Sequence, residues 1–286
     1  MVTAGAPIEL AALTLILALI GGLFPIFSKV KENPETLRRI TGIASGILLA
    51  SALLVVVPEG FELATGEHEE GGEDEEAGHE EEGVGNLLIG GAVLAGFLMM
   101  LILEGSGIGH AVHEEHHDHH DEHGHEHVHH RNSPWIIVLG LSLHSAADGL
   151  AIGSAAAGTS EAVTALVALA VLIHKVPAAF SLGVFSMHER ENKNDSIKDI
   201  VIFSLATPVM ILVSFYTLQG MDEHLIALAM LFAAGTFLYV ATVDTLPDIH
   251  NPETGRQALQ NVLIGVVAMV LVLYGVEAAG LIEHGH

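Results

Sequence analysis

The chain has 286 residues, half of them apolar, with no cysteine and only ten lysines and arginines against 35 acids, for a formal charge of −25. The lack of cysteine excludes disulfides and thiolate metal ligands and leaves the redox compartment open, and the lack of a basic patch excludes nucleic acid as a partner. Sixteen of the acids sit in two short segments, residues 63–83 and 110–131, so the charge describes those segments and not a fold.

Apolar runs of about 20 residues, the length a helix needs to cross the hydrocarbon core, recur along the chain. The first covers residues 7–27. It has no basic segment before it and no small-residue cleavage site, which predicts a retained helix and not a signal peptide. Gly21, Gly22 and Pro25 are expected to kink its end. SKVKENPETLRR reads as a short polar turn, followed by a second span over residues 40–61.

ELATGEHEEGGEDEEAGHEEEG comes next, with ten acids after Glu62 and no basic residue. Its composition predicts a solvated, disordered loop, assigned to residues 62–85. A single-signed field of this kind also collects cations weakly. The third span, residues 86–103, ends at Glu104. Beyond it, HAVHEEHHDHHDEHGHEHVHH carries eleven of the twenty histidines. Neutral imidazoles are metal ligands, so His113, His116, His117, His119, His120, His123, His125, His127, His129 and His130 are expected to form a flexible chelating loop, assigned to residues 109–133. No regular spacing imposes a defined tetrahedral site there.

Spans four and five occupy PWIIVLGLSLHSAADGLAIGSAAAG and EAVTALVALAVLIHKVPAAFSLGVFSM, joined by a few residues near Thr159. HERENKNDSIKD reads as a second basic linker, and spans six, seven and eight cover residues 200–218, 225–246 and 259–282. Eight spans put both termini on one side. Lys29, Lys31, Arg38, Arg39, Arg131, Arg190, Lys193, Lys198 and Arg256 all fall in loops of the opposite face, and Lys175 alone lies inside a span. The positive-inside rule makes that face cytoplasmic. The histidine loop is then inside, and the acidic loop and both termini are outside. The fold expected is all-α: one polytopic membrane domain over residues 1–286.

Spans four and five carry ionisable groups near their middles. An ionisable side chain at the bilayer centre costs at least about 2.5–3.5 kcal/mol and calls for a reason. His144 and Asp148 stand one helical turn apart on one face, and His174, Lys175 and Pro177 interrupt the next span. The plain reason is packing: a salt bridge of Asp148 with Lys175, and two hydrogen-bonded histidines. The sharper reason is a divalent metal held by two imidazoles and a carboxylate. Ser145, Gly149 and Gly153 repeat at four-residue spacing, which lets helices approach closely and is expected to bring span four towards His174. Pro177 frees a carbonyl at this level and is expected to bend its helix.

HSAADGLAIG followed by HKVPAAFSLG resembles the fourth and fifth spans of the ZIP-type divalent metal transporters, in the branch with His-Lys-x-Pro in span five. VVVPEGFE and GTFLYVATVDTLPD resemble that branch's second and seventh spans, so the likeness covers nearly the whole chain outside its two polar loops. It implies a three-two-three bundle, spans one to three and six to eight being related by inverted symmetry around spans four and five. It also implies that His144, Asp148 and His174 form the first metal position, with Ser145 where an asparagine often sits. Lys175 and Ala178 stand where some members carry acids that complete a second metal position. An ammonium cannot ligate a cation, so a single-metal site beside a fixed positive charge is expected.

Nitrogen and carboxylate ligands suit Zn²⁺ best, with Fe²⁺, Mn²⁺, Ni²⁺ or Cd²⁺ as further substrates and no organic cofactor. Inward movement of a divalent cation through 100 mV, negative inside, releases about 4.6 kcal/mol, twice the single-charge value. Passive import through a plasma membrane is the function expected. Glu59, Asp244 and Asp248 are candidates for the entrance and exit, or ordinary interfacial acids. The lipid bilayer and metal ions are the partners, and a homodimer is compatible with the sequence. The main alternative is an intramembrane zinc hydrolase using the same three residues to activate water, although the chain has no HExxH. A cation-diffusion exporter also tends to carry a histidine loop, but eight spans and no evident folded C-terminal domain argue against it.

Overall fold

The computed structural model describes residues 6–28, 34–66, 84–106, 134–190, 192–243 and 246–280. Residues 67–83 of the acidic segment and the whole histidine segment, with His113 to His130, lie outside the described residues, as does Asp244. Among the described residues the chain is all helix: α1 (Ile8–Phe27), α2 (Pro34–Ser51), α3 (Val57–Thr65), α4 (Asn86–Gly105), α5 (Pro134–Gly158), α6 (Glu161–Glu189), α7 (Lys193–Leu218), α8 (Glu223–Val243), a short α9 (Leu246–His250) and α10 (Gly255–Ala278). With α2 and α3 counted as one span, eight of these helices are long and apolar enough to cross a membrane.

Several boundaries differ from the sequence reading, and each has a local cause. The second span starts at Pro34 and not near residue 40, because proline is favoured where a helix N–H would have no partner. It continues through a π-helical segment, Ala52–Val56, placed just before Pro58, whose missing N–H already interrupts the regular ladder. It then runs to Thr65, inside the segment read as loop. Gly66 ends it in the left-handed conformation (φ +67°) that glycine adopts without strain. The basic linker before span six is also shorter than expected, because α7 begins at Lys193. Pro25 and Pro177 both lie inside continuous helices. The turn between α5 and α6 is two residues long, and Ser160 caps α6 by accepting a hydrogen bond from the Val163 N–H at 3.2 Å.

The helices form two groups. α5 packs along α7 and α1 along α6, and α1 also meets α7. In the second group α2 packs along α10 and α4 along α8. The groups meet where α5 touches α8 and α2 touches α6. Exchanging spans one with six, two with seven, three with eight and four with five maps each of these pairs onto another, or, for spans one and six, onto itself. That is the contact pattern of an inverted repeat around spans four and five.

Glycine makes the close approaches. A Cβ on Gly149 or Gly153 would run into the α7 backbone at Thr207 and Ile211, and one on Gly235 into Val93 of α4. The small-residue face of span four therefore seats α7, and not α6 as the spacing suggested. Side chains such as Ile16, Val209 and Leu271 stay exposed on the outer faces, the composition a lipid-facing surface requires.

Candidate metal site

His144 and Asp148 project from consecutive turns of α5, and His174 faces them from α6. One ligand atom from each of the three lies within 4.8 Å of the others. Asp148 is fully buried, and His144 and His174 are 5% and 6% exposed. His174 Nε2 stands 3.4 Å from Asp148 Oδ2, and His144 Nε2 stands 3.8 Å from Asp148 Oδ1. Two ligands of a tetrahedral zinc at about 2.0–2.1 Å are roughly 3.3 Å apart. The cluster needs only small side-chain adjustments to reach that spacing.

The imidazole of His174 is already oriented for ligation. Its Nδ1 lies 3.3 Å from the Ala170 carbonyl. An Nδ1–H suits this carbonyl, and in the neutral tautomer that carries it the lone pair is on Nε2, the atom that faces Asp148. His174 Nε2 and Asp148 Oδ1 are both buried without a hydrogen bond among the described residues. Buried acceptors left in this state cost stability unless something occupies them. A divalent cation suits both at once.

Lys175 sits behind the carboxylate, fully buried. Its ammonium donates to Asp148 Oδ2 at 3.2 Å, to Thr207 Oγ1 at 2.6 Å and to Ser145 Oγ. The sequence reading offered two accounts of these residues, an ion pair of Asp148 with Lys175 or a metal cluster. The structure contains the geometry of both. The hydroxyl of Ser145 lies on the lysine side, 3.3 Å from the Phe203 carbonyl and 3.1 Å from Thr207 Oγ1.

A cavity of about 110 Å³ adjoins His144 and His174. Thr41 and Ser45 of α2, Glu104 of α4, Ser181 of α6, and Tyr239 and Val243 of α8 are among its other lining residues. The Tyr239 hydroxyl donates to Glu104 Oε2 at 2.7 Å. These positions lie in the N-terminal half of span two and the C-terminal halves of spans three, five and seven. All four are the ends bordered by the loops that hold the basic residues. On the other side of the histidines, Ala151, Ile152, Val167, Val171, Ala227 and Met230 belong to one buried apolar cluster. The pair is therefore reached from one side and sealed from the other.

Glu59 is half-buried on α3 and does not line this cavity. The side chain of Asp248, like the whole of Asp244, lies outside the described residues. Thr207, Phe203 and Tyr239 escape sequence reasoning because threonines and aromatics are ordinary in apolar spans. Glu104 is marked in the sequence only as the end of the third.

The chain matches the family model for the ZIP zinc transporter over residues 5–131 and 105–276. It is 33% identical over 265 residues to zinc transporter ZIP9 of Xenopus tropicalis, covering 82% of this chain and 84% of that protein. Identity to zinc transporter ZIP9 of Micropogonias undulatus is 31% over 287 residues, with 88% and 89% covered. Zinc transporter ZIP2 of Homo sapiens is 30% identical over 142 residues, 48% of this chain and 45% of that protein.

Proposed function

This chain belongs to the ZIP zinc transporter family, and from that premise we propose that it carries zinc into the cytoplasm through the cluster of His144, Asp148 and His174. The observation that carries the reading is the buried ligand set at the blind end of a one-sided cavity. By the positive-inside rule that side is the cytoplasm, so the conformation is the one that releases metal inward. Uptake needs a second conformation in which the apolar cluster around Ile152, Val167 and Met230 parts. The membrane potential supplies about 4.6 kcal/mol per 100 mV for a divalent cation moving in, enough to drive import without a coupled ion.

In this reading His144 and His174 each provide one nitrogen and Asp148 provides one oxygen, with water or another polar group completing the sphere. Fe²⁺, Mn²⁺, Ni²⁺ and Cd²⁺ are secondary substrates, admitted less well by two imidazoles and one carboxylate. Ser145 serves the lysine and is at most a weak ligand. Glu59 marks the outer entrance and Asp244 and Asp248 the inner exit, where the cytoplasmic histidine loop receives the ion. The chain sits in the plasma membrane with both termini outside and assembles as a homodimer. Membership of a transporter family removes the support for the hydrolase alternative.

The test is zinc uptake into proteoliposomes. His144→Ala, Asp148→Ala and His174→Ala should each reduce uptake by well over about tenfold, more than the loss of an outer-shell partner, while the purified proteins stay monodisperse. Near-normal uptake by any two of the three would overturn the assignment.

A further inference from the structure

Lys175 has three N–H bonds and each has an acceptor: Asp148 Oδ2, Thr207 Oγ1 and Ser145 Oγ. The face of the Phe203 ring, with its centroid 4.5 Å away, provides the remaining wall. Thr207 does more than accept. Its own hydroxyl proton goes to the Ser145 carbonyl at 2.7 Å, which leaves the oxygen lone pairs for the ammonium. It is fully buried on α7, at the level where Gly149 lets α5 approach the α7 backbone. The hydroxyl therefore has one orientation, and the ammonium has one resting place.

We propose that Thr207 is a positioning residue for metal selectivity: it anchors Lys175 so that the ammonium holds Asp148 Oδ2 and leaves Oδ1 as the single carboxylate ligand atom. The inference rests on reading the cluster as the metal site. A carboxylate with both oxygens available can chelate one ion or bridge two. Tied to an ammonium through Oδ2, Asp148 offers the unbonded Oδ1, 3.8 Å from His144 Nε2, and His174 Nε2, which rests 3.4 Å from Oδ2, has to turn towards it when the ion binds. Three ligands and a water suit the tetrahedral preference of zinc. Manganese prefers octahedral oxygen coordination and is disfavoured by so small a set. The fixed charge also repels a second cation from the place it occupies.

The experiment measures zinc and manganese uptake in proteoliposomes made with the full chain carrying Thr207→Val, Thr207→Ser, Lys175→Ala, or Thr207→Val together with Lys175→Ala. Thr207→Val removes the hydroxyl at nearly constant volume and should lower the zinc-over-manganese ratio by about tenfold or more, the range for losing an outer-shell partner. Thr207→Ser restores the acceptor and should keep the parent ratio. In the Lys175→Ala background Thr207→Val should change nothing further, since residues acting through one another are not additive. An unchanged ratio in Thr207→Val, an equal loss in Thr207→Ser, or a full additional loss in the Lys175→Ala background would each overturn the proposal. If Thr207→Val does not insert as a monodisperse protein, Thr207→Ala takes its place in the same comparisons. His174→Ala run in parallel separates the two claims. If it transports zinc normally, the site itself is misassigned; if it does not, a failed selectivity result falls on Thr207 alone.

Discussion

Arg190 and Asp199 show how one pair of residues ties helix ends together. The guanidinium meets the carboxylate as a fork, Nε to Oδ2 at 2.8 Å and Nη2 to Oδ1 at 2.9 Å. Ser186 donates to the same Oδ2 at 2.6 Å, Ser196 donates to the Ser186 carbonyl, and the guanidinium stacks over Trp135. The C-terminal end of α6, the N-terminal end of α7 and the start of α5 are thereby tied together. Asp199 is only 1% exposed, so removing its partner strands a buried carboxylate. Arg190→Ala should destabilise the protein by about 3 kcal/mol, the low end for breaking a buried pair, because the arginine keeps some solvent contact. Arg190→Lys should recover only part of this, since an ammonium cannot reproduce the fork. Thermal unfolding in detergent checks both, and a melting temperature unchanged by Arg190→Ala would remove the clamp. In the sequence Arg190 reads only as a loop charge that orients the chain. His144 and Asp148 were legible because a histidine four residues from an acid is conspicuous in an apolar span, and His174 because it interrupts the next one. The clamp was not, because its partners are nine residues apart and on different helices.

At the scale of elements, the seam between α5 and α7 decides whether Lys175, Thr207 and the cluster of His144, Asp148 and His174 meet. Gly149 and Gly153 bring the two backbones together, and a side chain at either position has nowhere to go. At Gly149 the nearest atom is the Thr207 carbonyl oxygen, which cannot rotate away as a flexible side chain would. Gly149→Ala should cost about 1–3 kcal/mol by overpacking and should also reduce zinc uptake, because Thr207 is displaced. Gly91→Ala on α4 is the control: open space surrounds it, and alanine gains about 1 kcal/mol of helix propensity over glycine. If the two variants transport and melt alike, the seam is not tight. The four-residue spacing made close packing legible, but the partner expected from it, the helix of His174, was wrong: the seam belongs to α7. A stripe of small residues states how near another helix can come, and nothing about which one it is.

At the scale of the whole molecule, hydropathy was enough to count the spans, since each must satisfy its backbone internally across about 30 Å of hydrocarbon. The exchange symmetry among them was not readable from the residues, because it is a relation between packing pairs that no repeated motif records. It entered only through the family resemblance. The same scale separates the two places that the proposed function assigns to zinc. The buried cluster offers three ligand atoms within 4.8 Å and seals them from one side of the membrane. The histidines between residues 110 and 130 offer many ligands at irregular spacing, which predicts several weaker sites and no single geometry. Deleting residues 111–130 should therefore lower the total zinc bound per chain while leaving one tightly bound ion and measurable transport. Elemental analysis of the purified protein after dialysis against a weak chelator gives the count, and proteoliposome uptake gives the activity. One retained zinc that is lost on adding Asp148→Ala would assign it to the cluster between α5 and α6. Two retained zincs with Lys175 unchanged would mean that the buried ammonium does not keep a second cation out. Abolished transport in a monodisperse deletion would make the histidine segment part of the path, not a receiver at its end.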